Sequence, residues 1–198
     1  MEYSMIHISK ATSNDLKEIA KIHKQVYTSS HFTSLFPLQL LEDFYGYFIE
    51  GDSSILLARN DSNELQGFIV SGTDISSRLQ RFKREQKFAI WKTAFAHPLV
   101  AVKKTVRQLY YKFSRHDEVH EANNLILSIA VAVQRQGIGG ILLDEIFKTS
   151  SDKYIGLYVR VTNTIALNLY LKHHFKIIAY TSGQYYMEKE NKRANSIS

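Results

Sequence analysis

The sequence predicts an α/β fold, a central sheet of about seven short strands flanked by helices, and three observations point there. Strand-length runs rich in aliphatic and β-branched residues recur at 5–8, 55–58, 66–70, 125–131, 154–159, 175–180 and 185–188. Between most of them apolar residues return at three- and four-residue spacing, the period of an amphipathic helix. With 198 residues, 44% apolar and 22% charged, the composition suits one domain with a core and excludes a disordered or fibrous chain. The expected organisation is a single domain over 1–190 with a polar tail over 191–198. There are no cysteines, which removes disulfides, thiolate metal sites and cysteine nucleophiles. Neither a secretory leader nor an apolar run of membrane-spanning length is present, so the chain reads as soluble and cytoplasmic.

Each element has a local cause. Residues 5–8 alternate polar and apolar, a first strand. Thr12-Ser13-Asn14-Asp15 then offers a helix N-cap with an acid in the first turn, and Leu16, Ile19, Ala20, Val26 and Tyr27 share one face of the helix it opens. Pro37 suits the opening turn of a second helix, whose Leu38, Leu41, Phe44, Tyr45 and Phe48 repeat at helical spacing until Gly51-Asp52 stops them. Runs 55–58 and 66–70 flank Asn60-Asp61-Ser62-Asn63, the signature of an antiparallel hairpin. Run 125–131 is apolar except for Ser128, as a central strand covered on both faces should be. A glycine cluster leads from it into a buried helix over about 141–148, then a strand, a short helix from Thr164 to Lys172, and a closing strand pair.

Charge is concentrated in one place. The chain carries a net charge of +6, yet residues 78–115 hold eleven Lys or Arg against the single acid Glu85. The aromatic and aliphatic residues of this segment, from Phe82 to Phe113, fall at helical spacings and predict one or two packed amphipathic helices broken near Pro98. A solvated basic face and an anion-binding surface are both open readings of it.

The glycine cluster carries the first chemical signal. In Gln134-Arg135-Gln136-Gly137-Ile138-Gly139-Gly140 a strand runs through a glycine turn into a helix, which gathers unpaired N–H groups and the positive end of a helix dipole at one spot. Phosphate binds there, and Gly removes the Cβ that would block a positive φ or an approaching anion. The spacing fits neither a P-loop nor a dinucleotide fingerprint. A close-packed strand-to-helix turn is the alternative explanation.

Together, Ile129-Ala130-Val131, this loop, Leu157-Tyr158-Val159, Asn163, Ala166, Leu169-Tyr170-Leu171-Lys172 and Phe175 resemble the GNAT superfamily of acyl-CoA-dependent N-acyltransferases over about residues 125–188. The resemblance implies a mixed sheet of about seven strands and acyl-CoA as co-substrate, without a metal. It places the pantetheine arm and thioester oxygen on Ile129, Ala130 and Val131, and the pyrophosphate on Gln134, Arg135, Gln136, Gly137, Ile138, Gly139 and Gly140. Asn163 would touch the pantetheine. Tyr170, with an ordinary pKa near 10, would protonate the leaving thiolate. Three features depart from the family pattern. The step from Val131 to Gln134 is short, His174 stands where the family has Gly, and a basic helical insertion over about 74–122 separates the third and fourth strands.

The acceptor is less legible. A weaker resemblance to bacterial enzymes of nucleotide-sugar and surface-polysaccharide pathways implies a nucleotide-linked amino sugar, held by His31, Phe36, Arg81 and Arg84. A protein or peptide amine is the other enzymatic reading, and a non-catalytic nucleic-acid or anionic-membrane surface the third. The expectation is a small-molecule partner, without nucleic acid or membrane insertion and with a homodimer allowed. For the base, only Glu118, His120 and Glu121 just before the fourth strand come forward, each better explained as a solvated loop residue.

Overall fold

The computed structural model describes residues 5–27, 31–98, 122–134, 136–181 and 183–192. In chain order these form β1 (His7–Lys10), α1 (Leu16–Val26), α2 (Leu38–Gly46), β2 (Ser54–Arg59), β3 (Leu65–Gly72), α3 (Ile75–Glu85), α4 (Lys87–Ala96), β4 (Asn124–Val131), α5 (Ile138–Thr149), β5 (Tyr154–Arg160), α6 (Thr164–Lys172), β6 (Lys176–Thr181) and β7 (Gln184–Glu190). The strands make one sheet in the order β1-β2-β3-β4-β5-β7-β6, antiparallel everywhere except between β4 and β5.

Strand alternation sorts the apolar residues into two cores, one on each face. Ile55, Leu57, Phe68 and Val70 point to a core completed by Ile19 of α1, Leu41 and Tyr45 of α2 and Phe82 of α3. Ala58 and Ile69 point the other way, onto Leu142, Leu143 and Ile146 of α5. Each fully buried large side chain contributes about 1.5–3 kcal/mol. Arg59 ties the layers at one edge, its Nη2 donating to Asp15 Oδ1 at 2.7 Å and Glu18 Oε2 at 2.6 Å. Asp15 also caps α1, accepting from the N–H and the hydroxyl of Thr12 at 2.8 Å each. Burial acts to raise its carboxyl pKa, but the Thr12 hydrogen bonds and Arg59 outweigh it, so the group lies below its ordinary value.

In β4 the alternation changes phase. Ser71 pairs with Ile126 and Val70 with Ser128, so Leu127 is an extra residue, a β-bulge. Leu125 and Leu127 pack on the first core and Ile126 on the second; beyond the bulge Ala130 faces the first core while Ile129 and Val131 face the second. Apolar residues on both sides of Ser128 give no period from which such a shift could be read.

Other elements differ from the sequence expectation for identifiable reasons. β1 lies two residues later than 5–8, because pairing of His7 with Arg59 through Lys10 with Leu56 sets its register. α5 begins at Ile138 rather than near 141, taking Gly139 and Gly140 into its first turn. The basic segment breaks at Gln86 as well as near Pro98, where α4 ends at Ala96. On α4, Phe88, Trp91 and Phe95 are 79%, 64% and 75% exposed, so the aromatic periodicity there does not mark a packed face among the described residues. No described helix is long and apolar enough to cross a membrane.

α6 ends in a Schellman motif built on an unusual residue. The Phe175 N–H bonds to the Tyr170 carbonyl at 3.0 Å, the His174 N–H to that of Leu171 at 3.0 Å, and the Phe175 and Tyr170 rings meet at 5.7 Å. His174 holds the left-handed position with φ +63°, where a Cβ is crowded and Gly is favoured. Accordingly, His174→Gly should stabilise the protein by about 1 kcal/mol and raise Tm by roughly 2–4 °C. Thermal unfolding checks this, and an unchanged or lower Tm would show that the imidazole compensates for the strained backbone.

Candidate functional site

Backbone geometry makes the site before side chains do. β4 and β5 pair in parallel only from Asn124 with Ile155 to Ile126 with Leu157. Past that point they separate, and residues 127–131 keep their antiparallel partner β3 but have none on the β5 side. A cavity of about 710 Å³ occupies the gap, walled by Val26 and Tyr27 of α1, Ile129 and Val131 of β4, the start of α5, and α6. Ala130 contributes no wall, because its methyl is buried in the first core.

The start of α5 points at the same cavity. Gly137 is its N-cap with φ +78°, and a Cβ there would meet nothing within 4 Å, so this glycine is required for its backbone conformation. Its carbonyl accepts the N–H groups of Gly140 at 2.9 Å and Ile141 at 3.1 Å. Gly140 is thereby committed internally, and Ile138 and Gly139 are left as first-turn donors without backbone acceptors. A Cβ on Gly139 would lie 3.0 Å from Leu169, and one on Gly140 2.9 Å from His173 Nε2. At these two positions the missing side chains make room for Leu169 and His173, as the alternative explanation of the cluster, a close-packed turn, requires. Gln134 and Gln136 line the cavity, while Arg135 lies outside the described residues.

Arg160 at the end of β5 and Lys172 at the end of α6 line the same cavity and make it cationic. Asn163 lines the cavity too, but its Oδ1 caps α6 by accepting the Ala166 N–H at 3.2 Å, which leaves the amide NH₂ as its free arm.

Tyr170 is on the wall, buried, and its hydroxyl has no hydrogen-bond partner among the described residues. Burial first, and the Tyr27 phenol second, push its pKa well above the ordinary range. Opposite it, the Tyr27 hydroxyl donates to the Ile129 carbonyl at 3.3 Å, and burial raises its pKa to about 12. Behind Tyr27, His23 shares a 2.6 Å hydrogen bond between Nδ1 and the Tyr45 hydroxyl, while its Nε2 is buried without a partner. Burial, then the charges of His31 and Lys24, lower the His23 pKa to about 4. Ser128, at the bulge, has a buried hydroxyl lying against Tyr27 and Tyr45.

The acceptor-side residues expected from sequence scatter. His31 lines the cavity. Phe36 does not; it is buried in the first core against Phe32 and Phe82. Arg81 and Arg84 lie on α3 at a separate depression with Ser77, Arg78 and Gln80, and Arg81 is paired to Glu85 at 2.9 Å. Glu118, His120 and Glu121 fall outside the described residues. No group of three His, Asp or Glu able to hold a metal occurs among the described residues. Tyr27, His23 and Arg160 were not singled out from sequence; the first two read as the apolar face and flank of α1, and Arg160 as an ordinary charge closing a strand.

No protein-family model and no curated protein sequence matches the chain. Solved structures do share its fold. The ribosomal-protein-S18-alanine N-acetyltransferase of Escherichia coli superposes with TM-score 0.57 at 16% identity over 94% of each chain. PaiA N-acetyltransferase from Thermoplasma acidophilum, in complex with coenzyme A, gives 0.55 at 15% identity over 94% of this chain and 99% of that one. Arabidopsis thaliana NAA60 in complex with acetyl-CoA gives 0.54 at 18% identity, with the same coverage. The fold is that of the GNAT N-acetyltransferases.

The buried His23 makes stability depend on pH in a stated direction. As pH falls below about 6.5 the unfolded imidazole takes a proton that the folded one refuses until about pH 4. The unfolded state binds more protons in that window, so this residue costs up to about 1.4 kcal/mol of stability per pH unit on acidification and nothing further below it. His23→Gln should remove that part of the slope. Urea denaturation between pH 7 and pH 4 checks it, and equal slopes in both proteins would mean that the ring is hydrated.

Proposed function

We propose that the chain is an acyl-CoA-dependent N-acyltransferase that moves a short acyl group to a primary amine. One observation carries the reading: the unpaired edge of β4 and the open first turn of α5 converge on a single cavity with Arg160 and Lys172. A thioester joined to a diphosphate through an amide-bearing arm needs those three things, an extended backbone edge to pair with, a helix N-terminus, and cations. The N–H groups of Ile138 and Gly139 hold the pyrophosphate, and the β4 edge at Ile129 and Val131 holds the arm.

In the transfer the amine lone pair bonds to the acyl carbon, negative charge gathers on the thioester oxygen, and the C–S bond then breaks with its electrons going to sulfur. Donors of the β4 edge stabilise the oxygen. The Tyr170 hydroxyl faces the departing sulfur. A phenol raised by burial is a far weaker acid than a thiol of pKa about 8.5, so Tyr170 stabilises the thiolate by a hydrogen bond, and water completes the protonation.

For the acceptor, we favour a nucleotide-linked amino sugar of the kind used in surface-polysaccharide synthesis. Among the described residues no carboxylate lines the cavity, so a polycationic amine would lack a counter-charge, whereas Arg160 and Lys172 on its wall suit an acceptor that carries phosphate. The N-terminal amine of a protein is the second reading, supported by the likeness to an enzyme named for the alanine of a ribosomal protein. Acetyl transfer measured with a UDP-linked amino sugar, an alanine-initiated peptide and spermidine separates these readings, and turnover of spermidine alone would contradict both.

Tyr170→Phe keeps the ring in its Schellman cap and removes only the hydroxyl. Acetyl-CoA affinity by calorimetry should hold within about twofold while kcat falls roughly 10- to 100-fold. A kcat within threefold of wild type would make Tyr170 a packing residue.

A further inference from the structure

Four aromatic rings run in file from the core to the cavity. Tyr45 is fully buried; the His23 ring lies 5.7 Å from it, Tyr27 4.4 Å from His23, and His31 5.0 Å from Tyr27. Only Tyr27 and His31 reach the cavity. The loop end that carries His31 is held at its backbone, where the His31 carbonyl accepts the Ser34 N–H at 3.0 Å and the Ser34 hydroxyl at 2.6 Å. Lys24 of α1 fastens the same turn through the Ser34 carbonyl at 2.7 Å.

Among the described residues, the remaining wall offers no other side chain that accepts a proton near neutrality. Tyr27 and Tyr170 are phenols that burial makes weaker acids than usual, and the Tyr27 hydroxyl is engaged by Ile129. Arg160 and Lys172 are cationic side chains, and among the described residues no Asp or Glu lines the cavity. An imidazole is the side chain whose ordinary pKa suits the task.

We propose that His31 is the general base of the transfer, an inference that rests on the acyl-transfer reading and deepens it. The acceptor enters as a neutral amine. Its nitrogen bonds to the acyl carbon and becomes positively charged, the His31 imidazole takes one proton from it directly or through one water, and the C–S electrons leave with sulfur. The thiolate gains a proton from water, and His31 returns its own to water, so an amide and a thiol are the only net products. The file of rings fixes the geometry: Tyr45 holds His23, His23 backs Tyr27, and Tyr27, whose hydroxyl meets the Ile129 carbonyl, packs against His31 on the wall of the same cavity. Among the described residues the titratable and charged groups near His31 include Tyr27 and His23, with Lys24 one residue on from His23, and Arg160, Tyr170 and Lys172 line the same cavity.

The test uses acetyl-CoA with glycinamide, a minimal primary amine whose pKa is about 8, and compares wild type with His31→Ala and His31→Gln. Calorimetry comes first, and both variants should bind acetyl-CoA as wild type does. In wild type, log kcat/KM should fall with slope two at acid pH, one proton for the amine and one for His31. In the variants the slope should be one, the rate at pH 7 should drop about 10²-fold, and free imidazole should restore part of the loss in His31→Ala. Variants within threefold of wild type, or a slope of two in them, would overturn the assignment of His31 and leave acyl transfer standing. Failure of wild-type protein to bind acetyl-CoA would overturn both.

Discussion

The molecule is organised around the place where two neighbouring strands let go of each other. Three residue pairs join β4 to β5, and then the sheet opens. A strand edge turned away from its neighbour and shut off from water is costly, about 1–3 kcal/mol for each buried polar group left unmatched. The protein meets part of that cost itself, since Tyr27 satisfies the Ile129 carbonyl from the α1 side. The remainder is an edge with hydrogen-bonding capacity and a cavity shaped for a long, thin ligand. The bulge at Leu127 belongs to the same device, because by shifting the phase of β4 it turns Ile129 and Val131 toward the gap while Ala130 seals the core beneath.

The second layer of construction holds the helices that close the gap. α5 and α6 approach closely because Gly139 and Gly140 have no side chains to keep Leu169 and His173 away. That approach, with the Schellman cap at His174, sets Tyr170 on the cavity wall two residues before Lys172. Packing and function thus use the same residues, and glycines that read as an anion loop serve mainly to bring two helices together. The anion-seeking part reduces to Gly137, whose left-handed backbone starts α5, and the N–H groups just after it.

Much of this was legible in the sequence. The seven strands, the order of helices and the sheet's central strand followed from periodicity and turn residues, and the glycine loop with Asn163 and Tyr170 marked one wall of the cavity. Other features were hidden for physical reasons. The bulge was hidden in run 125–131, where every residue but Ser128 is apolar, because a central strand is apolar on both faces whichever way its residues point. Tyr27 was correctly placed on the inner face of α1, yet only its contact with a residue 102 positions away reveals a polar role. Phe36 looked like a recognition residue and is core, while Phe88, Trp91 and Phe95 looked like core and are exposed, since helical spacing reports a face but not what covers it. Arg81 and Arg84 were grouped with His31 by charge, and the fold puts them on a separate surface.

The central claim is that the opened edge of β4 and the first turn of α5 together hold an acyl-CoA, and a crystal structure of the protein with acetyl-CoA tests it most directly. The expected result is a pantetheine arm lying along residues 127–131 between β4 and β5, the pyrophosphate on the N–H groups of Ile138 and Gly139, and the thioester sulfur facing the Tyr170 hydroxyl. Coenzyme bound elsewhere, on the basic face of α3 for instance, with the gap between β4 and β5 filled by water, would contradict it.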